Sequence, residues 1–379
     1  MKHTLQKTLI ASALSLAAFS SQAAVEIYNK EGMTFSADGL VNIFYVNSNI
    51  EATDAAGVTT ERDQSRVRMG FLPNNVGFNF GKQLDDVKVE MRSSFWVSVN
   101  DTDLNRGATA LGTNSLIDVR QFYAKISGDF GSVTLGKDFG LFNRTNILGD
   151  ELLLGYGQTS DTFGLVDGGN VSFGNISTGY TYPFPKAQIT YRSPDMSGLT
   201  LAVGIMDPNK SAAGSSEDTP RVEFEAVYSQ DMFKAWINGV SQSSELADGT
   251  DTDQSGFGYG VNVKFSGVSL TASGYSSEGL GHVAGLDHVV GADTNESEGY
   301  LLQASYTMGD NRFVISSGET ENDDQASITT HKNFALGYFR TVRPGVILVA
   351  EYNNTESENS VSTVAEDNGT FSIGTVVTF

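Results

Sequence analysis

Side chains alternate with period two along almost the whole chain, and no apolar run is long enough to cross a bilayer as a helix. The last stretch, 371–379, is the clearest case. Phe371, Ile373, Val377 and Phe379 share one parity with Thr375, while Ser372, Gly374, Val376 and Thr378 take the other. A strand turns successive side chains to opposite faces, so one face here is apolar and the other mostly small or polar. The same alternation appears over 35–45 and 87–99, and strand-like runs recur up to 346–352. Charges, Gly or Asn interrupt every apolar run well short of the roughly 20 residues a membrane helix needs.

The N-terminus reads as a secretory signal. Lys2 and Lys7 supply the positive end, 9–19 (LIASALSLAAF) the apolar core, and Ala23 and Ala24 the small residues of a cleavage site. Residues 1–24 are therefore set apart as a signal peptide, leaving 25–379 as one domain with no linker. There are no cysteines, so an exported chain of this length holds itself by pairing and packing rather than by disulfides. The 41 Gly and 7 Pro suit many strands joined by tight turns. Without Lys2 and Lys7, 22 Lys and Arg face 45 Asp and Glu, a net charge of −23. That balance argues against nucleic acid as a partner and favours cations at the protein's openings.

The connectors alternate between two kinds. Seven are short: 85–86, 129–131, 195–198, 230–232, 266–267, 309–311 and 343–345. Eight are long and mostly acidic: 47–61, 100–114, 138–185, 207–219, 244–254, 276–297, 321–330 and 357–368. Fifteen connections join 16 strands. Short turns at one end and long loops at the other are the layout of a transmembrane barrel, whose strands face lipid on one side and a lumen on the other. An all-β, 16-stranded antiparallel barrel is wide enough for an aqueous channel. In such a barrel the final aromatic, Phe379, belongs against lipid.

Three stretches carry a resemblance. The segment 25–32 (VEIYNKEG), the stretch from Arg120 to 136–140 (GKDFG) and the final strand closely resemble the enterobacterial general-diffusion porins, which are Gram-negative outer-membrane proteins. The resemblance implies a homotrimer in outer-membrane lipid and lipopolysaccharide, assembled by machinery that reads the terminal Phe379. It implies a passive channel for small hydrophilic solutes, with no cofactor and no metal. It also implies that the loop after the fifth strand, here within 138–185, folds inward as a constriction. Asp150 matches one of the family's loop acids, and Glu151 stands in for a second, whose own place is taken by Leu154. On the facing wall, Arg68 and Arg120 match two pore arginines. Lys186 lies two positions beyond a third, and Asp38 replaces a basic residue of the first strand. Alternation independently puts Arg62, Gln64, Arg66, Arg68 and Gly70 on one face, opposite Val67, Met69 and Phe71, and a stripe of arginine and glutamine belongs in water. The expected arrangement is thus Asp150 and Glu151 facing Arg66, Arg68, Arg120 and Lys186, with Asp38 lining the pore and a weak cation preference.

Blander readings apply to several residues. The arginines can pair with wall acids, and Asp251, Asp253, Asp323 and Asp324 read better as solvated loop than as metal ligands, because no calcium-loop spacing is present. Rival functions are a substrate-specific porin, an adhesin acting through the acidic loops, and, least of all, a hydrolase using His282, His288 or His331.

Overall fold

The computed structural model describes residues 24–100, 117–159, 172–208, 219–245, 249–280, 296–323 and 328–379. These form 18 strand segments in chain order: β1 Val25–Lys30, β2 Met33–Thr53, β3 Thr59–Arg68, β4 Asn74–Leu84, β5 Val87–Val97, β6 Ile117–Gly128, β7 Gly131–Phe139, β8 Pro185–Arg192, β9 Leu199–Met206, β10 Arg221–Gln230, β11 Phe233–Glu245, β12 Asp251–Phe265, β13 Val268–Glu278, β14 Glu296–Met308, β15 Asn311–Asp323, β16 Ile328–Arg343, β17 Val346–Asn359 and β18 Ala365–Thr378. A single short helix, α1, spans Arg144–Leu148 among the described residues.

Two pairs of segments merge. The first half of β2 pairs with β1 on one side and β4 on the other, and its second half pairs with β18 and β3. β1 therefore continues the line of β18, and β3 continues into β4 across a break at 69–73. The result is 16 antiparallel staves. Every stave pairs with its chain neighbour, and β18 closes on β2 from Ala365↔Thr53 to Thr378↔Leu40. Closure leaves no free edge, which is what lets a sheet cross a bilayer.

The outer face follows from alternation. Val41, Ile43, Tyr45, Leu302, Ile315, Leu336 and Ile373 point outward and are exposed, as lipid-facing residues are. Tyr228, Phe233, Phe265, Tyr306 and Phe313 stand near the short turns, whereas Tyr300, Phe334, Tyr352 and Phe371 stand nearer the long loops. Beyond this second set the outward row becomes charged. Glu51, Asp367, Glu356, Lys332 and Glu319 are direct cross-strand neighbours ending at Tyr300. Carboxylates do not sit in hydrocarbon, so this row marks the edge of the apolar band.

Three expectations change. Much of what reads as long acidic loop is strand: β2 runs to Thr53 and β3 starts at Thr59, β11 reaches Glu245, and β18 starts at Ala365. The ladder continues past the bilayer because water replaces lipid without disturbing backbone pairing. An additional short turn, Glu31-Gly32, joins β1 to β2. Met69 and Phe71 do not face lipid opposite the arginine stripe. The stave breaks there, and both are buried. Phe71 packs in a core inside the barrel with Leu152, Leu153, Tyr156, Ile176 and Tyr180 from 140–184, and with Phe44, Leu301, Val314, Phe339, Val349 and Val376 from the wall.

Candidate constriction site

The connection after β7 turns into the barrel over its described parts, 140–159 and 172–184, and wall side chains hold these step by step. Glu223 on β10 accepts the backbone N–H groups of Leu141 and Phe142 and is itself paired with Arg221. Asn238 on β11 accepts the N–H of Asn143, whose left-handed backbone starts α1. Glu225 accepts the Thr145 hydroxyl and pairs with Arg192 at 2.7 Å. Asn146 donates to the Gly274 carbonyl on β13 (3.0 Å) and accepts from Trp236 Nε1 (2.9 Å). Past the tip, Glu351 on β17 accepts the N–H groups of Tyr156 (3.2 Å) and Gly157 (2.7 Å), and Asn353 donates to it. The Phe71 N–H reaches the Gly155 carbonyl, so the break in the stave is also a tie to the loop. On the return, Gly179 N–H donates to Thr320 on β15, and Asn333 on β16 donates to Asn175. The loop thus touches β10, β11, β13 and β15 to β17 and crosses the lumen. Its two arms meet where Gly157 lies against Gly174. With φ +92 at Gly157 and +55 at Gly174, and a Cβ on Gly157 only 2.3 Å from Gly174 Cα, both positions require glycine.

The predicted acids sit at the tip, 150–151. Asp150 is buried and accepts from Tyr180 Oη (2.6 Å), Asn175 (3.0 Å) and Gln303 (2.7 Å). Burial first, and then the Asp150 charge, pushes the Tyr180 hydroxyl well above its ordinary pKa, so it stays a donor. Glu151 pairs with Arg312 on β15 at 3.0 Å and accepts from Ser269 and Ser305; its backbone N–H donates to Gln303 Oε1. The contacts described for both acids therefore run to β13, β14, β15 and the loop's own return arm, not to Arg68 or Arg120. The reason is apolar: Leu152 and Leu153 follow the acids and bury against Val314, Phe339 and Val349, which seats the tip on that wall.

The basic residues are distributed around the other side. Arg66 is half-buried and Arg68 buried on the inner face of β3, as alternation requires, with Val67 outward between them. Arg120 donates to Asp118 and to Tyr182 Oη, both at 2.8 Å, and lies 4.9 Å from the Trp96 ring centre. Its described contact with the loop is at the loop's last residues rather than its tip. Lys186 is buried on β8, its ammonium 5.7 Å from the Phe184 ring. Asp38 is inward and buried under Arg92, which donates to both its oxygens at 2.7 and 3.0 Å, while Asn79 donates at 2.6 Å. Phe379 pairs its backbone with Gly39, and its ring covers that glycine on the outer face.

Arg92, Arg312, Glu223, Glu225, Gln303 and Glu351 escape the sequence reading. Parity alone places Arg92 and Glu351 on inner faces, but nothing local says that a loop arrives there. His331 is buried on the inner face with Nδ1 2.9 Å from Ser357 Oγ. His282, His288 and Asp324 lie outside the described residues.

The geometry is that of a closed barrel with a loop folded into its lumen. A family model, Gram-negative porin, matches residues 11–360. The chain belongs to the Gram-negative porin family. It is an outer-membrane β-barrel channel protein, and the family consists of channels, not enzymes. Solved structures share the fold at low identity. The outer-membrane channel DcaP of Acinetobacter baumannii is 15% identical with a TM-score of 0.68, covering 93% of this chain and 99% of that one. An anion-selective porin from Comamonas acidovorans is 16% identical, at 0.66, with 92% and 100% covered. Salmonella typhi OmpF, in complex with daunomycin, is 15% identical, at 0.61, with 94% and 100% covered. Among curated proteins none matches the chain significantly.

Proposed function

We propose that residues 25–379, exported by removal of 1–24, form a water-filled pore for passive diffusion of small hydrophilic solutes and ions. The observation that carries this reading is that loop residues 140–159 and 172–184 are held across a closed 16-stave barrel, in part by wall carboxylates. The loop sets the size limit. Charged and hydroxyl groups at Glu151, Arg312, Arg120 and Tyr182 order water around it, so hydrophilic solutes pass with least disturbance, as in other charged pores. A weak cation preference comes from the surplus acid at the loop rim.

The protein works as a homotrimer in lipopolysaccharide-bearing membrane, delivered by the barrel-assembly machinery through Phe379. Ala37 and Ser93 on the outer face leave room for close approach of a second copy, while Gly39 is filled by the chain's own Phe379 ring. Liposome swelling with sugars of graded size tests the pore reading. Swelling that falls steeply with solute size supports it. Folded protein that leaves liposomes impermeable to the smallest sugar contradicts it.

A further inference from the structure

Below the inward loop the lumen holds a cavity of about 410 Å³, bordered by the β14–β15 turn at 309–310. Part of its lining is apolar: Leu148 and Leu154 of the loop, and Trp236 and Phe339 of the wall. Two lysines also face it, Lys234 on β11 and Lys264 on β12. Alternation puts both on the inner face, in line with Trp236 and Asn262. Lys234 lies over the Trp236 ring, 5.3 Å from its centre.

Neither ammonium has an ion pair or hydrogen bond among the described residues. The nearby acids are committed: Glu225 to Arg192 and Thr145, Glu151 to Arg312, Ser269 and Ser305, and Asp150 to Tyr180, Asn175 and Gln303. Asp310, on the β14–β15 turn, is the acid of the cavity whose side chain makes no described contact. In a chain with 45 Asp and Glu against 24 Lys and Arg, two lumen lysines with no described ion pair or hydrogen bond are out of keeping with the balance of charge. Like charges sharing a confined space raise the free energy of the empty site, and an anion placed between them lowers it. An inorganic anion would satisfy the lysines but gain nothing from Trp236, Leu154 or Phe339. An organic anion uses both halves, because its apolar body leaves water as its carboxylate meets the lysines.

We propose that this cavity binds small organic carboxylates with an apolar body, the carboxylate at Lys234 and Lys264 and the body against Trp236, Leu154 and Phe339. The proposal rests on the channel reading, since the site is reached through the lumen.

The probe is cyclohexanecarboxylate, added to the intact protein in planar bilayers in KCl. Its expected effect is a saturable fall in conductance. The half-blocking concentration rises at least tenfold in K234Q/K264Q and stays near wild type in K234R/K264R. Cyclohexanol and inorganic phosphate do not block at the same concentrations. Equal block of wild type and K234Q/K264Q overturns the site, as does block by phosphate. Stronger block by cyclohexylamine also overturns it, because Asp310 would then be the binding group. A second readout does not need conductance. W96F retains Trp236 as its sole tryptophan, and its emission in detergent is expected to change saturably with the carboxylate but not with cyclohexanol. A channel that conducts KCl without block, with unchanged Trp236 emission, removes this site and leaves the pore. Absent conductance with a saturable Trp236 response removes the pore reading and leaves the site.

Discussion

Single side chains inside the barrel fall into two groups, those that hold structure and those that meet solute. Asp38 and Arg92 belong to the first. Their two-pronged pair is buried, so Asp38→Ala strands a guanidinium and is expected to cost about 3–5 kcal/mol. The urea midpoint of the detergent-folded barrel reads this directly, and Asp38→Ala with Arg92→Met recovers most of the loss. Arg120 is proposed for the second group. It touches both the loop's last residues and the Trp96 face, so Arg120→Ala is expected to raise single-channel conductance and shift the KCl reversal potential toward cations. An unchanged reversal potential would take Arg120 out of the permeation path. Arg66 and Arg68 were legible because alternation has only two answers, and a guanidinium stripe fits only the wet one. Arg120 was legible by resemblance, since strict alternation from the outward Phe122 would put it on the lipid face and a bulge opposite Ser94 and Phe95 turns it inward. Arg312 was not legible as a partner of Glu151, because 161 residues separate them and only the barrel's curvature brings them together.

Among the elements, the inward loop is the least self-sufficient. Its helix α1 has five residues, too short to persist alone, so wall contacts must hold it. Glu351 holds the far side of the tip with two backbone N–H bonds. Glu351→Ala leaves those donors buried without an acceptor, at about 1–3 kcal/mol each. Noisier, larger single-channel currents are expected, with barrel folding preserved on unheated gels; wild-type current traces would show that the tip does not depend on this residue. The staves were readable from period two, and their number from the connectors. The acids of the tip were readable by resemblance, but their seat was not. Val314, Phe339, Val349 and Val376 are apolar yet point inward, because the loop brings its own apolar side to meet them. A pattern of hydrophobicity records that a side chain is dry, not which apolar partner dries it.

The whole molecule separates its charges by place. Acids stand on the outward row above the aromatic residues and on the inner wall that holds the loop, while Lys234, Lys264 and Arg312 face the lumen below the loop. Net charge alone therefore does not describe the lumen below the loop. Closure of the barrel rests on β18 meeting β2, with Phe379 seated on Gly39. Phe379→Ala is expected to lower the fraction of heat-modifiable protein recovered from outer membranes several-fold, while folding from urea into detergent changes little. A trimer is expected to run above the monomer position on unheated gels, and a band at the monomer position alone would count against it. The most direct test of the account is single-channel current from the purified mature protein across a KCl gradient. Large ohmic steps with a reversal potential modestly on the cation side are predicted. Folded, heat-modifiable protein that inserts without conducting would contradict the claim that this barrel, with its loop inside, is an open pore.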